Sequence, residues 1–141
     1  MRIDHLIHRF VTSVPDVLEP GVLYVSIEFD TTIHLCACGC LKQVVLPLHP
    51  TAWRLTYDGE SVSMAPSVGN WSFPCRSHYW IECSGIRWAP EWTDSQIAAG
   101  RQRTLRERGV HSTRSAEKPT LATSGRWQRL PDIVRRLLSR T

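Results

Sequence analysis

Three cysteines on alternate residues, in the stretch His34-Leu35-Cys36-Ala37-Cys38-Gly39-Cys40, constrain this chain more than any other feature. Alternate positions of an extended strand share a face, so the three thiols can look the same way. A site built on them needs a partner, and Pro74-Cys75-Arg76-Ser77-His78 supplies one. Two short chelating loops suit a tetrahedral ion, because each loop orders its second ligand at little extra entropic cost. Four of the five cysteines and one of the six histidines fall in the C-x-C-x-C and C-x-x-H loops themselves. The candidate metal ligands are therefore Cys36, Cys38, Cys40, Cys75 and His78, one more than a closed zinc site needs. The surplus thiol reads as a neighbour of a ligand, an exchanging ligand or a small apolar filler. His34 reads as a core or supporting group, and Cys83 as a half-buried thiol without a partner.

An odd cysteine count and alternate-residue thiols argue against a disulfide framework and for reduced, cytoplasmic thiols holding Zn²⁺. The C-x-C loop facing a C-x-x-H loop also resembles the layout of Rieske domains, with Cys38 where the first histidine would stand. A [2Fe-2S] cluster is the alternative cofactor.

The segments EPGVLYVS, HLCACGC and WRLTYDGESVSMAPSVGNWSFPCRSHYWI, closed by IRW, resemble a bacterial domain family. Its signature is a C-x-C-G-C turn followed by a C-x-S-H-[YF]-[WF]-[IV] strand, and the likeness covers residues 1 to about 92. The resemblance implies zinc binding and an operon context beside ubiquitin-like proteins, ThiF-type activating enzymes and deubiquitinase-like peptidases. It implies no reaction. This chain has Leu41 where the family commonly has a second glycine, a position where glycine would allow positive φ.

Turn signals divide the first 92 residues into short strands. Strands are expected over residues 5–11, 22–29, 31–36, 42–48, 52–57, 61–65, 79–82 and 86–88. Asp58-Gly59 marks a tight hairpin, residues 66–70 read as a turn, and His78 opens a strand. Such spacing predicts a mostly β fold, a small antiparallel sandwich or partly open barrel carrying two metal-holding loops. No run is long and apolar enough for a membrane span, and the N-terminus lacks the apolar region of a secretory signal.

The charge is split. Residues 1–93 carry six Lys/Arg against nine Asp/Glu, whereas residues 94–141 carry eleven against four. The expected division is a β-rich zinc-binding domain over residues 1–92 and a basic tail over 93–141 that is partly helical and partly disordered. Thr93 and Gln96 make a capping box for a helix from Asp94 to Arg108, with Gly109 behind it. Residues 110–125 read as a linker, and Pro131 opens a last helix. The tail reads as a solvated extension in preference to a nucleic-acid contact, since Trp127 is its lone aromatic.

No catalytic set stands out. Asp58, Glu60 and Glu82 have no pairing suited to acid/base work, and the adjacent Ser77 and His78 would point to opposite faces of a strand. Five of six tryptophans fall in the β-rich part, most of them expected in the core, with an exposed pair able to form a peptide-binding surface. The reading is a small zinc-binding accessory or interaction module whose partners are proteins of a ubiquitin-like conjugation or defence system. Its rival is an iron–sulfur or thiol redox protein.

Overall fold

The computed structural model describes residues 1–116. Two four-stranded sheets face each other. In chain order the first holds β1 (Ile7–Phe10), β2 (Val22–Ser26), β3 (Thr31–Leu35) and β4 (Gln43–Pro47). The second holds β5 (Arg54–Tyr57), β6 (Val62–Gly69), β7 (His78–Glu82) and β8 (Gly85–Trp88). Neighbouring strands pair antiparallel except β1 with β2, which run parallel. The result is an open sandwich and not a closed barrel. Among the described residues one helix, α1 (Asp94–Ala116), follows β8.

The apolar pattern decides which faces meet. Leu23 and Val25 of β2 and Val44 and Leu46 of β4 pack against Val62, Met64 and Val68 of β6 and Tyr79 and Ile81 of β7. Val22 and Tyr24, the intervening residues of β2, are also buried, under Leu18, Val11 and Val14 from the β1–β2 connection. β2 is thus covered on both faces, which explains why its run is continuously apolar. It stops at Ser26, three residues before the expected end; Ile27 and Phe29 lie exposed in the turn to β3. The amino-terminal segment ties the sheets together at one corner, through Leu6 N–H to Ser84 O and Ile86 N–H to Asp4 O, both 2.8 Å.

The hairpins follow their turn chemistry. Gly59 has φ 101° in the β5–β6 turn, where the Asp58 carboxylate accepts the Ser61 and Glu60 backbone N–H groups at 2.6 and 2.9 Å. Cys83 and Ser84 both have positive φ in the two-residue β7–β8 turn. Cys83 is exposed there, not half-buried.

Residues 66–70 are not a turn. β6 continues through them to Gly69, but its pairing with β7 slips between Met64 and Val68. Between these pairs three residues of β6, 65–67, stand against the single residue Trp80 of β7, which makes a bulge. Trp53, Trp71, Trp80, Trp88 and Trp92 are half-buried and not fully enclosed in the core.

Helix α1 has the expected cap: Thr93 N–H donates to Gln96 Oε1 at 2.8 Å, and Gln96 N–H to Thr93 Oγ1 at 3.3 Å. Its Ile97 is buried, and Asp94 pairs with Arg76 at 2.5 Å. The helix runs through Gly109 to Ala116, so a lone glycine does not end it where the chain has no other breaker. The expected end of the linker and the last helix lie outside the described residues.

Candidate active site and metal centre

The first loop leaves β3 at Cys36 and returns at once, with Cys36 N–H donating to Lys42 O at 2.8 Å. Gly39 makes this possible. It has φ 86°, and a Cβ there would stand 2.5 Å from the Met1 carbonyl oxygen. Leu41 also adopts positive φ, 59°, with its side chain in solvent. The glycine-type conformation is kept although the residue is not glycine. The second loop, residues 70–77, joins β6 to β7 and is closed by Asn70 N–H to Ser77 O at 2.9 Å.

Between them the loops bring four sulfurs together. The Sγ atoms of Cys36, Cys38, Cys40 and Cys75 all lie within 4.8 Å of one another, and all four thiols are free. The separations are 3.4 Å for Cys36–Cys38, 3.7 Å for Cys40–Cys75 and 4.0 Å for Cys36–Cys75. Tetrahedral sulfurs at the usual zinc–sulfur bond length stand about 3.8 Å apart. The donor set could therefore hold a metal ion with small adjustments of the sulfurs. Asn70 Nδ2 donates to Cys36 Sγ at 3.5 Å, and Ser77 Oγ lies 3.1 Å from the same sulfur. Such donors hold a thiolate in place and favour its charged form. For Cys75, burial acts to raise the pKa but is outweighed by hydrogen bonds from the Ser77 N–H and hydroxyl, which bring it down to about 7. Burial raises Cys36 and Cys38.

His78, the fifth candidate ligand, is not in this group. It is the first residue of β7, next to Ser77, and adjacent strand residues face opposite ways. Ser77 turns to the thiols; His78 turns to the other face, where its Nε2 lies 2.9 Å from Ser67 Oγ. His34 also stays out of the cluster: it is fully buried, with Nε2 2.8 Å from the Tyr79 hydroxyl, and burial holds its pKa down at about 4.

Ser67 comes from the bulged part of β6, and the bulge aims its hydroxyl at His78. The pair opens on a cleft of about 900 Å³, walled by Trp53, Trp71 and Trp92 and by helix α1 from Ile97 onward. The rings of Trp92, Trp71 and Trp80 have centroids 4.6, 4.9 and 5.1 Å from the imidazole. Burial lowers the His78 pKa, so the ring is neutral near pH 7 and can accept a proton. Its Nδ1 is buried without a hydrogen-bond partner among the described residues. Ser67 and His78 therefore form a hydrogen-bonded pair with three indole rings around the imidazole.

Sequence reasoning missed Ser67. It lies eleven residues before His78, a separation that means nothing until β6 and β7 are known to pair. The surrounding Pro66 and Gly69 pointed to a turn.

The family model for BubE, bacterial ubiquitination-like system serine protease, matches residues 10–89. That span includes the four thiols, Ser67 and His78. No curated protein and no solved structure matches the chain.

Proposed function

Because the chain belongs to the BubE family of bacterial ubiquitination-like system serine proteases, we propose that it is a peptidase with Ser67 as nucleophile and His78 as general base. The observation that carries this reading is the 2.9 Å contact between Ser67 Oγ and His78 Nε2 at the mouth of a cleft. It favours a catalytic role beside the expected accessory or interaction module. The substrate is the C-terminal tail of the system's ubiquitin-like protein, cleaved at one peptide bond.

The chemistry follows from the pair. Ser67 Oγ adds to the scissile carbonyl carbon as its proton passes to His78 Nε2. Collapse of the adduct breaks the C–N bond, and the leaving amine takes the proton from Nε2. A water molecule, deprotonated by Nε2, then adds to the acyl ester and releases the acid and free Ser67. The imidazolium formed in each half has three indole rings within cation–π range, which offsets the missing carboxylate.

Cys36, Cys38, Cys40 and Cys75 are the residues that would hold zinc. An ion bound by four thiolates has no open position, so it supplies a cross-link between the loops and no catalytic water. The departure of His78 from the ligand set favours zinc over a Rieske-type cluster, which needs histidine ligands.

A fluorophosphonate probe tests the dyad. It should label the wild-type protein at Ser67, fail on Ser67→Ala and react far more slowly with His78→Ala. Wild-type protein, but not Ser67→Ala, should shorten the ubiquitin-like partner. Undiminished labelling of Ser67→Ala would refute the assignment. Elemental analysis should find one equivalent of zinc in a colourless protein, and brown protein with iron and sulfide would refute the zinc assignment.

A further inference from the structure

The edge of β6 beside Ser67 has no neighbouring strand among the described residues. β5 pairs with β6 only as far as Arg54 opposite Ala65. Just before that point the chain leaves β6: Trp53 N–H donates to Pro47 O and Trp53 O accepts from His49 N–H, so its backbone groups face the end of β4. Beyond Ala65, β6 runs on alone on this side for Pro66, Ser67, Val68 and Gly69.

The direction of the backbone groups follows from the register. His78 O accepts from Ala89 N–H at 2.9 Å, so the polar groups of His78 point to the β8 side. Gly69, its partner on β6, therefore gets no hydrogen bond from it. Asn70 N–H, one residue on, points to β7 and reaches Ser77 O. Successive residues of a strand alternate, so Gly69 presents its N–H and C=O to the side that β5 vacates. Gly69 is exposed, and its missing Cβ leaves room for the Trp71 ring against the backbone.

The cleft over this edge is cationic. Arg54, Arg101 and Arg103 line it with one carboxylate, Glu107, and among the described residues none of the three arginines forms an ion pair.

We infer that the cleft takes its substrate as an extended, acidic peptide added as a strand on β6 at Gly69, with Arg54, Arg101 and Arg103 receiving the acidic side chains. Strand addition supplies affinity through main-chain hydrogen bonds and fixes the scissile carbonyl beside Ser67 Oγ. The cationic rim then selects among extended segments by charge. This deepens the peptidase reading and rests on it for the word substrate, but its binding claim stands apart from catalysis.

The test uses the full chain carrying Ser67→Ala, so that nothing is cleaved. The probe is a fluorescein-labelled short peptide of alternating Glu and Val, compared with Gln-Val and Lys-Val versions and with copies N-methylated at successive residues. The Glu-Val peptide should bind, and binding should weaken as salt rises. N-methylation at the residue facing Gly69 should cost about tenfold or more, the loss of one main-chain hydrogen bond. Arg101→Glu with Arg103→Glu, both exposed positions, should cost about tenfold or more for Glu-Val and leave Gln-Val within about twofold. Equal binding of Gln-Val and Glu-Val, or indifference to every N-methyl group, would overturn the inference, as would preferential binding of single-stranded RNA. Because these are equilibrium measurements, they can succeed while fluorophosphonate labelling fails, or the reverse.

Discussion

Replacing Gly69 by alanine probes the aromatic wall of the cleft directly. Gly69 does not have positive φ, so alanine meets no backbone strain there. The obstacle is steric: an added Cβ would lie 2.7 Å from Trp71 Cε2 and 3.0 Å from Cζ2, with Nε1 nearer still. Ordinary carbon contacts are about 3.5–4.0 Å, so the indole must move by about 1 Å. It is not free to do so cheaply, because it stacks on Trp92 at 5.5 Å and 18° and meets the His78 ring at 4.9 Å. Overpacking of this kind costs about 1–3 kcal/mol, and the disturbed aromatic contacts about 0.5–1.5 kcal/mol. Against this, alanine gains about 0.4–1 kcal/mol by restricting the unfolded chain. Gly69→Ala should therefore lose about 0.5–4 kcal/mol in urea unfolding, with an altered near-ultraviolet dichroism from Trp71 and Trp92 and a fall in hydrolysis. In a Trp71→Ala background the clash is gone, and the same substitution should become neutral or stabilising. Neutrality in the wild-type background with an unchanged tryptophan spectrum would refute the placement of Trp71 against the β6 backbone.

Three further outcomes are expected. His78 must be neutral to act as a base and burial lowers its pKa, so kcat/KM should fall as pH drops through a single limb lying below the ordinary value of 6.5; a limb at or above 6.5 would contradict the cage. Tyr79→Phe strips the buried His34 of its hydrogen bond and should cost about 1–3 kcal/mol by denaturant titration, whereas Tyr79→Phe with His34→Leu should recover part of the loss; a fully additive pair would show that the 2.8 Å contact is unimportant. A structural zinc contributes on the order of 10 kcal/mol, comparable to the whole stability of a small domain, so Cys75→Ser or a strong chelator should unfold the β-sandwich. A native-like melting transition without metal would remove the cross-link from the account of the fold.

The thiol centre was legible because its signal is local. Each loop holds its ligands within a few residues, although Cys36, Cys38 and Cys40 come together in the turn after β3 and not, as expected, by alternation along an extended strand. Alternation did set Ser77 and His78 on opposite faces, but it could not say which face held the thiols. The C-x-x-H spacing drew His78 to the thiols, yet Cys75 precedes the strand and lies outside its alternation, so the spacing carried no information about facing. Ser67 was illegible for a different reason. Its partner depends on the register of two strands joined by an eight-residue loop, and that register is broken by a bulge. Pro66 and Gly69 are turn residues by composition. In the folded chain Pro66 stands where β6 has lost its β5 neighbour and needs no donor, and Gly69 accommodates an indole.

The two centres are one construction. The loop over residues 70–77 begins one residue after Gly69 and ends one residue before His78, so whatever fixes the ends of that loop fixes the distance between the strands that carry the dyad. Asn70 does this from one end: its N–H reaches Ser77 O, and its amide donates to Ser77 Oγ at 2.9 Å and to Cys36 Sγ at 3.5 Å. Cys75 does it from within, because a bond to the same ion as Cys36, Cys38 and Cys40 would pin the loop to the end of β3 in the opposite sheet. Ser77 and His78 then divide the labour that strand alternation imposes, one side chain facing the sulfurs and its neighbour facing Ser67. A metal bound by the four thiols would add restraint to the loop that joins the bulge of β6 to the start of β7, where a small core gives limited support, and it would lie on the face of β7 away from the cleft.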